Sequence, residues 1–375
     1  MPRITVLGAG MVGRAMAADL ARDHDVTVVD LDTEALARAK RAHGLATRQA
    51  DCSDPRQVAA AVADADLVVG AVPGFLGYRT LRAVLEAGKP AVDISFFPED
   101  PFGLDELART KGLTAVVDIG VAPGMDNVLL GYHEPRMTVE RFTCLVGGLP
   151  VERRWPYAYT APFSPIDVLE EYTRPARVRE HGVEVVHPAL SGVEHHHFPG
   201  IGTLEAFHSD GLRSLLRSSR VPNLSEKTLR YPGHAELMRV FRESGFFGTE
   251  PIDVRGQDVR PIDLTARLLF DQWTARPGEG ELTVMRVLLE GHDGQGPVRH
   301  AYDLLDRGAD GVSSMARTTG YTATAAARLV LDGGYRHAGI SPPEYLGRDE
   351  AAFRFLLDEL AARGVHYAHT EEREE

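Results

Sequence analysis

Three glycines near the start carry the first chemical signal. Gly8, Gly10 and Gly13 lie in Gly8-Ala9-Gly10-Met11-Val12-Gly13, which fits G-x-G-x-x-G. Glycine is common, so the pattern alone is weak; its context gives it weight. Ile4 to Leu7 before it is a short apolar run, Met11 to Arg22 after it has helical spacing, and Val26 to Val29 is a second β-branched run ending in Asp30. That arrangement suits a dinucleotide. Gly8 permits the tight turn, Gly10 lets the backbone approach a pyrophosphate, and Gly13 lets a helix pack closely on the strand. The helix start at Met11 and Val12 offers amides and a positive dipole end to phosphate. Asp30 is placed to accept both adenosine-ribose hydroxyls, and a 2′-phosphate there meets like charge, so NAD is expected over NADP. Arg38 or Lys40 reaching back would soften that preference.

Ligands of such sheets sit beyond the carboxyl ends of the strands. This nominates Val72 and Pro73, Ser95, and Asp118 with the loop Gly120 to Gly124. Val72 and Pro73 read equally well as an ordinary strand-to-helix turn. Asp118 reads as a proton acceptor beside the nicotinamide or as a tie for the glycine-rich loop. Asp32 reads better as a helix cap than as a cofactor contact.

The elements that must position these residues alternate along the first 120 positions. Helical stretches are expected at Thr33 to His43, Pro55 to Ala63, Tyr78 to Ala87 and Leu104 to Lys111. Strands are expected at Leu67 to Val72, Ala91 to Ile94 and Thr114 to Ile119. Repeated βα units of this length imply an α/β fold with a doubly wound parallel Rossmann sheet. After Gly124 the rhythm changes to longer strands, at Thr138 to Val146, Glu281 to Leu289 and Val298 to Leu304, with long loops over Trp155 to Pro165 and His187 to Gly202. Met315 to Leu331 and Asp349 to Arg363 read as helices, and Glu371 to Glu375 as a solvated tail.

The bulk numbers exclude several partners. The chain has 375 residues, 54 acidic and 41 basic side chains, and a formal charge of −13. That balance argues against nucleic acid or an anionic membrane. The two cysteines, Cys52 and Cys144, have no metal or redox spacing and suit a reducing compartment. A strand pattern begins almost at once and no apolar run nears the roughly 20 residues of a membrane span, so a cytoplasmic protein without a signal peptide is expected. His195-His196-His197 does not read as a metal site, because neighbours in a strand point to opposite faces and no further ligand cluster has zinc spacing. No metal is expected.

Five further blocks carry a resemblance. They are Asp118 to Met125, Val146-Gly147-Gly148-Leu149-Pro150, Gly202 to His208, Lys227 to Glu236, and Met315 to Thr322. In this order, and with the opening glycines, the chain resembles the saccharopine dehydrogenase-like family, most closely its lysine 6-dehydrogenase branch. The resemblance implies a Rossmann domain over 1–122, a substrate and oligomerisation domain over 123–311 with a largely antiparallel mixed sheet, and helices over 312–375 packing back on the Rossmann domain. It also implies a homo-oligomer assembled through the middle-domain sheet. One departure bears on substrate. Where saccharopine reductases carry Pro-Asn-Arg-Asp-Ser, this chain has His208-Ser209-Asp210-Gly211. Losing an arginine–carboxylate contact worth about 1.5–3 kcal/mol points to a substrate with fewer carboxylates, although Arg213 lies nearby.

The resemblance implies oxidative deamination of an amino acid side-chain amine, L-lysine first. A lysine ammonium has a pKa of about 10.4, so a base must take its proton before hydride leaves. Asp118 and His208 are the candidates for proton chemistry. Arg230 matches the fork geometry of an α-carboxylate, Tyr231 lines the pocket or donates its hydroxyl, and Glu205 and Asp93 are secondary acids. Two alternatives stay open: a saccharopine or carboxy-polyamine reductase, and a non-catalytic NAD(H)-binding sensor on the same fold.

Overall fold

The structure is a computed structural model that describes residues 1–161, 165–276 and 278–373, and leaves aside the side chains of 165–167. Residues 162–164 of the loop expected over 155–165, and the last two of the expected acidic tail, lie outside the described residues.

The first stretch alternates as β1 (Arg3–Leu7), α1 (Met11–Leu20), β2 (Asp25–Asp30), α2 (Thr33–His43), β3 (Ala46–Gln49), α3 (Pro55–Val62), β4 (Leu67–Gly70), α4 (Gly74–Glu86), β5 (Ala91–Asp93), α5 (Asp105–Thr110), β6 (Thr114–Val116) and α6 (Met125–His133). The middle comprises β7 (Thr138–Pro150), α7 (Pro165–Thr173), β8 (Ala176–Glu180), β9 (Val183–His187), β10 (Glu194–Phe198), β11 (Gly202–His208), α8 (Leu215–Ser218), β12 (Asn223–Arg230), α9 (His234–Glu243), β13 (Ile252–Val254), β14 (Gln257–Val259), α10 (Pro261–Trp273), β15 (Glu281–Asp293) and β16 (Gly296–Arg307). The last stretch is α11 (Ser314–Leu331), β17 (Gly339–Ser341), α12 (Pro343–Arg348), α13 (Glu350–Ala362) and β18 (Tyr367–Arg373).

Two compact units result: Met1–Arg136 with Met315–His366, and Met137–Ser314 with Tyr367–Glu375. The sequence expectation broke the first domain at 122. Instead α6 stays with the first unit, because Gly131 and Gly347 let α6 and α12 meet at backbone distance; a Cβ on Gly131 would lie 2.1 Å from the Glu344 carbonyl oxygen.

The first unit holds a seven-stranded sheet, ordered β17-β6-β5-β4-β1-β2-β3, with every pair parallel. Its strands read as continuous apolar runs, such as Leu67–Gly70 with every residue buried, because helices cover both faces. The order turns back between β1 and β4, which makes their carboxyl ends the switch point. Local signals set the helix starts: Asp32 accepts from the Glu34 and Ala35 amides, and Asp54 from Arg56 ahead of Pro55.

The second unit is built on a nine-stranded mixed sheet with the path β10-β11-β12-β7-β15-β16-β18, with β8 and β9 paired off it. β7 and β12 run parallel, and the other pairs along that path are antiparallel. Leu204 and Ala206 belong to one apolar cluster and Phe207 to another, so alternation along β11 separates the two cores by face. The Phe207 side carries Tyr172, Met238 and Trp273 from α7, α9 and α10. Two expected irregular regions are strands. His195 to His197 lie in β10, paired with β11, rather than in a mobile loop. Glu371 and Glu372 lie in β18, opposite His300 and Arg299, rather than in a free tail.

Candidate functional site

In the first unit the glycines build a cradle. Gly8 has φ +111°, and a Cβ there would lie 2.4 Å from the Ala71 carbonyl oxygen. A Cβ on Gly13 would lie 2.1 Å from the Gly8 carbonyl oxygen. Both would clash with rigid backbone, so these two glycines let strand, helix and the β4 end meet. Gly10 differs: its Cβ would meet nothing within 4 Å, and the residue is exposed. It precedes α1, whose first turn runs from Met11 through Val12 to Gly13. An open glycine at a helix N-terminus fits a diphosphate.

Asp30 ends β2 beside this turn. Its Oδ2 accepts the Ala9 amide at 2.6 Å and its Oδ1 accepts the Asp32 amide at 2.8 Å. These bonds fix the carboxylate and leave lone pairs for two hydroxyls. Basic groups stand close by. Arg14 donates to the Ala9 carbonyl at 3.0 Å, and burial and then the Arg38 guanidinium lower its pKa. Val72 is buried and Pro73, exposed, precedes α4.

The acids nominated from strand ends are buried. Asp93 accepts the Ser95 amide at 2.7 Å, and its carboxylate fills the space a side chain on Gly70 would need. Ser95 is buried, and its hydroxyl has no partner among the described residues. Asp118 is 3% exposed with φ 54°, a left-handed conformation that costs a non-glycine residue energy and is held by the surrounding turn. It does not cap α6; Asp126 accepts the Gly124 amide there, at 2.9 Å.

The second unit gathers a different set. Arg230, at the end of β12, is 2% exposed. Its Nη2 donates to Glu171 Oε2 at 2.5 Å and to the Tyr159 hydroxyl at 3.4 Å, its Nε to the Tyr172 hydroxyl at 3.4 Å, and its Nη1 to the Leu229 carbonyl at 2.9 Å. The guanidinium also stacks 4.5 Å from the Tyr159 ring centroid. Burial opposes its charge, but Tyr159, Tyr172 and Glu171 outweigh that and keep it protonated. His234 Nδ1 faces the Tyr157 carbonyl at 3.0 Å and its Nε2 the Tyr172 hydroxyl at 2.8 Å. The carbonyl can only accept, so Nδ1 carries the proton and Tyr172 donates to Nε2. Burial and then the Arg230 charge push His234 down to about 3, and burial raises Tyr172 to about 12. The set is one cation and one half-buried carboxylate within a ring of neutral hydrogen-bonding groups. Sequence reasoning missed Glu171, Tyr159, Tyr172 and His234. His234 was within reach, since it lies in the same block as Arg230; the other three come from a region without periodicity.

Several expectations need correction. His208 and Arg230 do not share a site. Lys227 pairs with His208 and Arg230 with Glu205, and an offset of three along β12 puts them on opposite faces. His208 stacks on His187 with ring centroids 4.6 Å apart, and burial, then Lys227 and His187, push it down to about 4. It is neutral at pH 7 and cannot serve as a protonated acid there. Glu205 is no substrate acid: its two oxygens accept the Gly233 and Ala235 amides at 2.8 and 2.5 Å, which anchors the start of α9. Tyr231 donates to the Pro150 carbonyl at 2.8 Å, on the face away from Arg230. His196 binds Glu194 at 2.8 Å.

Comparison with known proteins now decides the family. Residues 4–116 match the model described as the saccharopine dehydrogenase NADP binding domain, and residues 120–365 the saccharopine dehydrogenase C-terminal domain. The chain belongs to the saccharopine dehydrogenase family. Among its relatives is the mitochondrial alpha-aminoadipic semialdehyde synthase of Bos taurus, 21% identical over 97% of this chain and 47% of the relative. The synthase of Arabidopsis thaliana is 24% identical over 53% of this chain and 20% of the relative. The chain thus spans about half, or less, of the length of these relatives. Saccharopine dehydrogenase [NADP(+), L-glutamate-forming] of Schizosaccharomyces pombe is 22% identical over 97% of this chain and 98% of the relative. The apo saccharopine dehydrogenase (L-Glu forming) of Saccharomyces cerevisiae has the same fold, with a TM-score of 0.82 at 17% identity over all of both chains. Within this family the open Gly10 cradle and the walled-in Arg230 are the features that bear on chemistry.

Proposed function

We propose that this saccharopine dehydrogenase-family protein oxidises the side-chain amine of an amino acid, L-lysine first, with NAD as the preferred acceptor. One observation carries the substrate reading. Among the described residues, Arg230 is the second unit's one buried arginine. It sits among neutral phenols and can grip one carboxylate. The segment His208 to Gly211 supplies no second cation; its Asp210 is already held by Arg177, at 2.9 Å to each carboxylate oxygen. A substrate with one carboxylate fits this supply of charge better than one with three.

The bound nicotinamide would supply the hydride acceptor. The chain's own residues do the rest. Arg230 holds the α-carboxylate, with Tyr159 and Tyr172 fixing the guanidinium plane. Asp118 takes the ammonium proton, so that the nitrogen lone pair can assist as the C–H bond breaks. Water then adds to the imine, ammonia leaves, and 2-aminoadipate 6-semialdehyde remains to cyclise. Asp30 supports NAD, since its carboxylate repels a 2′-phosphate. Arg14 and Arg38 work the other way and allow residual NADP binding.

A second reading has its own support. The relatives are named for saccharopine dehydrogenation with NADP(+). Incubating the protein with L-lysine or with saccharopine, each with NAD or NADP, and following reduced-cofactor absorbance separates the two. Turnover of lysine with ammonia release is expected. Turnover of saccharopine alone overturns the lysine reading, and turnover of neither, with NADH still bound, leaves a sensor.

A further inference from the structure

We propose that the outer face of α10 is a self-association surface, on which two copies of this chain pair antiparallel about a twofold axis. Seventeen large hydrophobic side chains are exposed among the described residues, and seven of them fall within residues 237–268. Single exposed leucines are ordinary, but a concentration of this kind marks a contact surface. On α10, Thr265, Ala266, Leu269 and Trp273 face the core, while Leu264 and Leu268 stand 55% and 62% exposed one turn apart. The β13–β14 hairpin has the same character. It has three residues per strand, pairs with no other strand, and leaves Ile252 and Val254 exposed on one side. A bare two-stranded hairpin is marginal in water, so such a hairpin needs cover. Phe246 joins this area: it is 49% exposed, and its carbonyl accepts the Thr265 hydroxyl at 2.8 Å.

Charge selects the occupant. Asp263 and Arg267 form the stripe flanking Leu264 and Leu268, with side chains 64% and 71% exposed. When two such helices run antiparallel about a twofold, each flanking stripe meets the same stripe of the other copy. Leu264 then rests on Leu268 of the second copy, and Asp263 meets its Arg267, twice over by symmetry. The one arrangement satisfies both the apolar and the ionic pattern. A stable dimer buries about 800 Å² per partner, more than two leucines supply, so the contact extends over the hairpin and Phe246. The inference stands apart from the substrate reading, because it needs no turnover.

The test is sedimentation velocity on the full chain. The parent is expected to self-associate, and Leu268→Glu to weaken association at least tenfold. Asp263→Arg and Arg267→Asp should each weaken it, and the charge-swapped pair D263R/R267D should restore it. A L264C/L268C variant should cross-link copies under mild oxidation; the native Cys52 and Cys144 are buried and will not compete. Unchanged NADH binding, which uses the first unit, shows that each variant is folded. A monomeric parent, or an assembly indifferent to Leu268→Glu, overturns the proposal. Failure of the charge swap to restore association overturns the antiparallel register.

Discussion

Asp30 sets cofactor preference by charge, at the scale of one carboxylate. It is held by the Ala9 and Asp32 amides, so it cannot swing away from a 2′-phosphate. Asp30→Ser removes the repulsion and leaves Arg14 and Arg38 in place. The expected outcome is a fall of at least tenfold in the NAD-over-NADP binding ratio, about 1.4 kcal/mol, measured by titration calorimetry. An unchanged ratio would move the selectivity elsewhere. His234 makes a second residue-scale prediction. Its folded pKa, about 3, lies below the ordinary value of about 6.5, so the unfolded chain binds the proton more tightly. Its contribution is therefore complete above pH 6.5 and lost as pH falls towards the folded value. Between pH 7 and 5 it should cost about 2 kcal/mol of unfolding free energy in urea. His234→Gln should lower stability at pH 7 through the Tyr172 bond and flatten that acid limb; an equally steep limb in the variant rules the account out.

Elements explain what the sequence could and could not disclose. The Rossmann half was legible because its signals are local: Gly8, Gly10 and Gly13 sit between a strand and a helix, and Asp32 and Pro55 mark helix starts. Short edge strands were not. β3 and β17 have four and three residues, and β17 joins β6 across more than 200 intervening positions. Nothing near Gly339 in sequence announces that pairing. The second-unit site was hidden for the same reason, since Glu171, Tyr159 and Arg230 come from three separated segments and only sheet register shows that His208 faces away. The helix α11 was legible, but its anchor was not. Arg328 meets Asp19 Oδ2 at 2.7 Å and Asp23 Oδ1 at 2.8 Å, with Asp19's side chain 1% exposed. Burial pushes the Asp19 carboxyl up, but Arg328 and Arg363 outweigh it and hold it below the usual range. Breaking a buried pair leaves an uncompensated charge, so Arg328→Met should cost about 3 kcal/mol in urea unfolding. Arg22→Ala, which removes an exposed partner of the same aspartate, should cost less than about 0.5 kcal/mol. Equal costs would mean that burial is not what gives the network its worth.

At the scale of the whole chain, the two units are interleaved in sequence. Residues 315–366 complete the first unit, and the chain then crosses back, so that β18 closes the edge of the second sheet. Truncation after His366 therefore separates the units' fates. The first unit keeps every strand of its parallel sheet, with the glycine cradle and Asp30. The second loses seven register pairs with β16 and the Arg373–Asp293 ion pair, which holds the aspartate down to about 2. β16 would become an exposed edge twelve residues long, an invitation to strand pairing between molecules. NADH affinity in the truncated chain should stay within about threefold of the parent, under 0.7 kcal/mol. Its unfolding midpoint should fall, and it should aggregate at concentrations where the parent stays dispersed, as read by light scattering. A truncated chain that lost NADH binding while its solubility held would show that the last strand serves the cofactor unit instead, and the division of labour drawn here would have to be reversed.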